Sequence, residues 1–144
     1  MWEYYLLDVI FMEKKLKTVL LQAIENNKTW KLKSILREQP IVYFLWEDFA
    51  EEYMKKRKEK KIFLQSLRLT QDSFDTKNHT DYIWYFKEVR HVSIWSDILN
   101  CDGVFLWDNK VAVFNVRDEI YEVHNDNKIY KKYLKIFEKY WDND

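Results

Sequence analysis

The fold is decided by residues 103–141, whose sequence is GVFLWDNKVAVFNVRDEIYEVHNDNKIYKKYLKIFEKYW. Two short apolar runs flank Asp108-Asn109, and Asp and Asn tolerate the positive φ angles that a tight two-residue hairpin turn requires. A third apolar run follows a polar break, and apolar residues then recur at the three- and four-residue spacing of an amphipathic helix. The stretch therefore predicts strands over Val104–Trp107, Lys110–Asn115 and Ile120–His124, and a helix over Asp126–Trp141 that is capped by Asn125 or Asp126.

The segments before residue 103 alternate between helical and strand-like patterns. This alternation predicts a single α/β domain over residues 1–144, with a mixed β-sheet of about five or six strands flanked by helices. The predicted elements are a helix over residues 2–25, a strand over Thr29–Leu36 with Trp30 and Leu32 on one side, a helix from Pro40 into the cations that begin at Lys55, a buried strand over Ile62–Leu69, a polar loop over Thr70–Asp81, a short helix over Tyr82–Phe86 and a strand over Lys87–Ser93.

The composition excludes several classes of function. The 144 residues include 24 basic and 24 acidic side chains, so the formal net charge is zero and a general coat for nucleic acid is not expected. A single glycine, Gly103, excludes every glycine-rich phosphate-binding loop. A single cysteine, Cys101, excludes a disulfide framework. We see neither a signal peptide nor a membrane span, and therefore expect a cytoplasmic protein that does not act at a membrane.

The aromatic content of 18% is high. The favoured interpretation is that Trp and Tyr fill a core that is short of smaller apolar residues. The alternative is that some of them line a ligand pocket or a dimer interface, where aromatic residues are enriched.

The polar residues indicate no metal site and no cofactor. His79, His91 and His124 lack the spacing to a second His or Cys that a zinc site requires. Asp126 lies two residues after His124, but a helix cap explains it better than a metal ligand. Cys101 has no adjacent cation to lower its pKa, so a catalytic thiol assisted by His91 would require the fold to bring the two together.

Four phrases resemble, in order, the C-terminal part of TrmB-type transcriptional regulators, whose effector region is a phospholipase-D-like domain. They are FAEEYMKKR at 49–57 before a strand at Ile62, KEVRHV at 87–92, WDNKVAV at 107–113, and the closing segment Tyr130–Trp141 with its Phe137-x-x-x-Trp141 ending. The resemblance extends over about residues 15–141. It implies a phospholipase-D-like half domain, and because such half domains pair with a second copy, it also implies a homodimer.

This sequence departs from the active enzymes of that superfamily at two positions. The enzymes carry H-x-K-x-x-x-x-D, in which the histidine attacks phosphorus and the lysine neutralises the phosphate. Cys101 stands at the histidine position and Gly103 at the lysine position, while Asp108 retains the aspartate. Because both the nucleophile and the cation are missing, we expect no catalytic residue and no enzymatic activity. Asp108 then serves as the first residue of the hairpin turn.

The regulators of this kind also carry an N-terminal winged helix-turn-helix that reads DNA. Residues 1–30 predict only an amphipathic helix followed by the start of a strand. We therefore expect DNA to be contacted only indirectly, or through a domain that is missing from this sequence.

The sequence leaves three main hypotheses for function, and residual phosphodiesterase activity is a fourth that we do not expect. The leading one is a non-catalytic effector and dimerisation domain of a transcriptional regulator that responds to a small molecule. The second is a binding module for a sugar-like ligand, lined by His91, Trp95, Trp107 and Asn115. The third is nucleic-acid binding by cations in the last turn of the second helix, although cations there also complement the helix dipole, which is the favoured interpretation. That patch consists of Lys55, Lys56, Arg57, Lys58, Lys60 and Lys61.

Overall fold

The computed structural model shows three helices and seven strands in the part of the chain that it describes. They are α1 (Trp2–Glu25), β1 (Lys31–Arg37), α2 (Pro40–Lys60), β2 (Phe63–Leu69), β3 (His79–Tyr82), β4 (Lys87–Val92), β5 (Gly103–Trp107), β6 (Lys110–Asn115), β7 (Ile120–His124) and α3 (Asn127–Trp141). The structure describes residues 2–37, 40–69, 79–82, 87–92, 99–115, 118 and 120–142, and only the backbone at 2–13, 40–48, 50 and 79–82.

The strands form one mixed sheet in the order β3-β4-β2-β1-β5-β6-β7. The three strands β4, β2 and β1 are parallel, and the other neighbours pair antiparallel. Parallel neighbours need a long crossover connection, and α2 supplies it between β1 and β2. The antiparallel half needs only the short turn at Asp108-Asn109 between β5 and β6.

Helices cover both faces of the sheet, and an apolar cluster lies between the helices and the sheet on each face: the α1-side cluster and the α3-side cluster. One cluster joins α1 and α2 to inward residues such as Leu32, Phe105 and Phe114. The other joins α3 to residues that alternate with them, such as Ile35, Val104 and Val111. Because side chains alternate between the faces of a strand, β5 is buried at all five positions.

Helix α3 is fixed at both ends. Asp126 is its N-cap, and the carboxylate accepts a hydrogen bond of 2.8 Å from the backbone N–H of Lys128. At the other end Phe137 and Trp141 stack with ring centroids 5.0 Å apart. The guanidinium of Arg90 lies 4.4 Å from the Trp141 ring centroid and also donates to the Trp141 carbonyl. These contacts hold the closing helix against β4 and the centre of the sheet.

The predicted α/β architecture with a mixed sheet and flanking helices is confirmed, with β3 as a short additional strand. The helix over 2–25, the hairpin around Asp108-Asn109 and the strand Ile120–His124 are where the sequence predicts them. Two predictions need correction. Residues 79–81 of the predicted loop belong to β3, and Tyr82, predicted to begin a short helix, ends that strand. The remainder of both segments, at 70–78 and 83–86, lies outside the described residues.

The predicted alternation at the start of β1 is also wrong. The strand begins at Lys31, and Trp30 has a φ of 60°, which turns its side chain away from the buried side occupied by Leu32. Trp30 is 66% exposed, whereas Leu32 is buried.

Candidate functional site

The segment that resembles the catalytic motif crosses the sheet from one end of β5 to the other. Gly103 pairs with Leu36 at the carboxyl end of β1, and Asp108 follows the strand at the opposite end of the sheet. Strand β5 lies between β1 and β6, and its side chains are covered on both faces. The three motif positions therefore do not meet at one site.

Cys101 is buried, and it lies in the α3-side cluster with Tyr133. Burial raises the pKa of its thiol to about 11, and Sγ donates a hydrogen bond of 3.5 Å to the Gly103 carbonyl. The thiolate is the nucleophilic form of cysteine, so a thiol with this pKa is inert at neutral pH. Cys101 therefore serves as a buried packing residue.

A side chain at Gly103 would require its neighbours to shift. A Cβ at this position would contact the ring of Phe114, with Cε1 at 2.6 Å, and Cδ2 of Leu36 at 2.7 Å. Both distances are shorter than ordinary carbon contacts. The neighbouring side chains have filled the volume that a lysine at this position would need.

Asp108 connects two distant parts of the chain. It begins the β5–β6 turn, and Asp108 and Asn109 have φ angles of 45° and 64°, as a type I′ turn requires. Its Oδ2 accepts a 2.6 Å hydrogen bond from the backbone N–H of Lys28, and its Oδ1 accepts a 2.7 Å hydrogen bond from the Thr29 hydroxyl. Both carboxylate oxygens are therefore occupied in holding the loop before β1.

The loop and the turn enclose a cavity of about 480 Å³, which we name the Trp30 cleft. It opens between the start of β1, the end of β5 and the first turn of α3. The described residues that line it are Lys28, Thr29, Trp30, Lys31, Lys33, Leu106, Trp107, Asp108, Asn109 and Tyr130.

The backbone holds Trp30 in a conformation that its side chain disfavours. The side-chain oxygen of Asn27 accepts hydrogen bonds from the N–H groups of Thr29 at 3.1 Å and Trp30 at 2.8 Å. The Trp30 carbonyl accepts one from Phe63 at 3.2 Å. A bulky residue with positive φ costs about 1–2 kcal/mol, and nothing is gained by burial because the indole is exposed. A strained backbone position that carries an exposed aromatic ring is a reason to consider this cleft as a candidate site.

The charges that line the cleft are mainly positive. Lys28, Lys31 and Lys33 are cationic, and Asp108 is the one acidic residue among the described lining residues. Lys33 is half-buried, and its ammonium lies 5.9 Å from the Phe137 ring centroid. Burial and the charge of Lys31 lower the pKa of Lys33, while Glu138 opposes them. An anion placed in the cleft would compensate these charges.

The ligand lining predicted from the sequence is not brought together. His91 and Asn115 lie on strands separated by four interstrand spacings, about 19 Å. Trp107 is near the opposite end of the sheet, 2% exposed and packed in the α1-side cluster, although it contributes to the wall of the Trp30 cleft. The Asn115 amide donates to Asp118 at 3.2 Å. Trp95 lies outside the described residues.

The cationic patch predicted at the end of α2 loses its central member. Arg57 is 1% exposed, its guanidinium lies 5.6 Å from the Tyr53 ring centroid, and burial lowers its pKa to about 10. Nζ of Lys55 lies 3.6 Å from a carboxylate oxygen of Glu51, and Nζ of Lys56 lies 3.9 Å from one of Glu52. The remaining lysines, Lys58, Lys60 and Lys61, are exposed. The run is a solvated helix end with one buried arginine rather than a continuous patch.

Two further parts of the molecule bring polar side chains together. Nε2 of His124 lies 3.3 Å from Oε2 of Glu122. Asp126 serves as the N-cap of α3. The described residues contain no group of three or more potential metal ligands. A second cavity of about 510 Å³ lies between α1 and β7. Its described lining is Lys14, Lys15, Thr18, Val19, Gln22, Tyr121 and Val123, a mixed groove that presents no exposed, conformationally fixed ring.

Sequence reasoning missed Trp30, Lys33 and Tyr130. The signal that could have identified Trp30 is the Asn26-Asn27 stop of the first helix, because Asn side chains cap the backbone of the next residues and set up tight turns. No local pattern connects this turn to Asp108, since the contact spans 79 or 80 residues.

Comparisons with known proteins identify no relative of this chain. No protein-family model matches the chain, and no curated protein or solved structure matches it. Within the described residues, no helix has the length and apolar character that crossing a membrane would require.

Proposed function

We propose that the chain is a non-catalytic effector domain, related to those of TrmB-type transcriptional regulators, that responds to a small molecule in the cytoplasm and forms a homodimer. The observation that supports this proposal most is the closure of the motif end of β5. Cys101 is buried with a raised pKa, and the volume beside Gly103 is filled by Phe114 and Leu36. Phosphoryl transfer in the resembled enzymes uses a histidine nucleophile and a lysine at these two positions, and this end of β5 carries neither.

The Trp30 cleft supports the sensing part of the proposal. A ligand in this cleft contacts three elements that are distant in sequence: the loop before β1, the β5–β6 turn and the first turn of α3. Binding at such a junction stabilises one relative arrangement of the elements, and a ligand shifts a conformational equilibrium by this differential affinity. DNA would then be contacted by a partner or another domain.

Strand β7 supports the assembly part. It is the last strand of the sheet on its side, and both Ile120 and Val123 are 37% exposed. An unpaired edge strand with exposed apolar residues is suited to antiparallel pairing with an identical strand of a second copy. Glu122 and His124 on the same strand offer opposite charges across such a pair when the histidine is protonated.

Light scattering tests this proposal. A homodimer is expected at high micromolar concentration, and Ile120→Lys should shift it to a monomer while Ile120→Val leaves it dimeric. A monomeric wild-type chain at that concentration contradicts the assembly role. Turnover of a generic phosphodiester that is lost on changing Cys101 would contradict the non-catalytic role.

A further inference from the structure

The Trp30 cleft offers a particular combination of groups to a ligand. Three lysines and two aromatic residues are among its described lining residues: Lys28, Lys31, Lys33, Trp30 and Tyr130. Asp108 has both oxygens occupied by the backbone N–H of Lys28 and the hydroxyl of Thr29, so it has limited capacity to accept hydrogen bonds from a ligand. The free chemistry of the cleft is therefore cationic and aromatic.

This combination distinguishes between classes of ligand. A neutral sugar carries no charge to pair with the lysines of the cleft, and the one carboxylate among the described lining residues already accepts two hydrogen bonds. A phosphate group needs cations, and lysine binds phosphate as a point charge. A planar base needs a ring to stack on, and the exposed indole of Trp30 supplies a face that any base can use.

We propose that the Trp30 cleft binds a nucleotide, with the base stacked on Trp30 and the phosphate neutralised by Lys33 together with Lys28 and Lys31. Asn109 lies in the same wall and is exposed, so its amide can donate to and accept from the edge of the base. The nucleotide is either free or part of a single strand, since both present the same base and phosphate. The hydrogen bond from the Trp30 N–H to Asn27 fixes the backbone that carries the indole.

The environment of Lys33 agrees with an anionic ligand. The half-buried ammonium has a pKa lowered by burial and by Lys31, and Glu138 only partly compensates. A phosphate beside Lys33 favours the charged form and restores the pKa toward its ordinary value. Binding should therefore be accompanied by proton uptake at a pH at which Lys33 is partly neutral.

Nucleotide binding would give the proposed sensing role its class of ligand, and its biological meaning rests on that proposed function. Nucleotide binding and homodimer formation are measured independently. A failure of nucleotide binding leaves the dimer measurement standing, and a monomeric chain leaves the binding measurement interpretable.

Isothermal titration calorimetry on the full chain provides the test. The probes are the four ribonucleoside 5′-monophosphates, adenosine, ribose 5-phosphate and a hexamer of deoxyadenosine. The variants are Trp30→Ala, Trp30→Phe and Lys33→Met. The control is Lys135→Met, which removes the same charge from an exposed position of α3 outside the cleft lining. Circular dichroism confirms that each variant is folded.

The proposal predicts binding of at least one monophosphate, and weaker binding of adenosine and of ribose 5-phosphate. Trp30→Ala should weaken the affinity by about 5- to 150-fold, and Trp30→Phe should recover part of the loss. Lys33→Met should weaken it by about tenfold or more. Lys135→Met should have the wild-type affinity. A hexamer affinity well above that of the monophosphate identifies a nucleic-acid strand as the source, and an equal affinity identifies a free nucleotide.

Two results would overturn the proposal. One is the absence of any binding heat for all four monophosphates and for the hexamer at millimolar concentration. The other is binding that Trp30→Ala and Lys33→Met leave unchanged, since the ligand would then lie elsewhere on the protein.

Discussion

Phe114 and Gly103 are directly opposite each other in the β5–β6 pair, and the Phe114 ring fills the volume in which a side chain at position 103 would lie. Leu36 closes the same volume from β1. The glycine is therefore required by close packing between neighbouring strands, and not by an unusual φ angle. This relationship explains in physical terms why position 103 carries no side chain.

Substitution at this position should destabilise the fold. Gly103→Ala should lower the free energy of unfolding by about 1–3 kcal/mol, because the added methyl group overpacks a filled region. Urea denaturation measures the change. Phe114→Leu provides the second arm of a double-mutant cycle, and the double variant should lose less than the sum of the single changes. Additive losses would show that the ring does not limit the space at position 103.

Cys101 should react slowly in the folded protein. With its pKa raised from 9.0 to about 11 by burial, the thiolate fraction at pH 8 falls by about 100-fold. Alkylation by iodoacetamide in the native state should therefore be slower by at least this factor than in urea, as followed by mass spectrometry. Equal rates in the two conditions would show an accessible, ionisable thiol.

The same pKa shift predicts a loss of stability at alkaline pH. The pKa is higher in the folded state, so the contribution of Cys101 is fully present below about pH 9 and is lost as the pH rises through 11. Cys101→Ala should remove this part of the pH dependence.

Lys87 should cost stability at neutral pH. It lies on β4, and burial, followed by the charges of Arg68 and Arg57, lowers its pKa to about 8. Below about pH 8 Lys87 is charged in both states, and the folded protein is destabilised by the full cost of burying the ammonium. Between about pH 8 and 10.5 the folded protein becomes more stable, because Lys87 is then neutral in the folded state and still charged in the unfolded chain. Lys87→Met should raise the free energy of unfolding at pH 7 by about 1–3 kcal/mol.

Thermal and urea unfolding between pH 7 and 10.5 measure this effect. The exposed Lys58 provides a control, since Lys58→Met should leave the stability within about 0.5 kcal/mol at each pH. A Lys87→Met chain that is less stable than the wild type at pH 7 would contradict the assignment of an unfavourable buried charge.

Trp30 should lower the stability of the fold, because its positive φ angle is strained and its exposed indole adds no burial. Glycine adopts positive φ without strain, so Trp30→Gly should stabilise the protein by up to about 1 kcal/mol while removing the stacking face. Trp30→Ala, which keeps most of the strain, should change stability by less. If Trp30→Gly destabilises the fold by more than about 1 kcal/mol, the indole has a structural role that its exposure does not indicate.

The sequence predicted the local features of this fold well. The Asp108-Asn109 turn and the Asp126 cap depend on residues within a few positions of each other, and both are where the turn and cap chemistry places them. The assignment to an α/β class also followed from local alternation.

The parts that depend on strand order could not be predicted in this way. His91 and Asn115 were grouped as one lining, but the order β4-β2-β1-β5-β6 separates them. Arg57 reads as one of a run of solvated cations, yet the last turns of α2 pack its side chain against Tyr53. The Trp30 cleft arises from a hydrogen bond between Thr29 and Asp108, and no periodicity in either segment indicates that contact.

The most direct measurement of the central claim, that a ligand binds at the Asp108 end of β5 and not at the Gly103 end, is an NMR titration of the isotope-labelled chain with adenosine 5′-monophosphate. The account predicts shifts in the backbone amides of 28–33 and 106–110 and in the Trp30 indole, with the amides of Cys101 and Gly103 unchanged. Shifts centred on Cys101–Gly103, with the Trp30 loop unaffected, would contradict it.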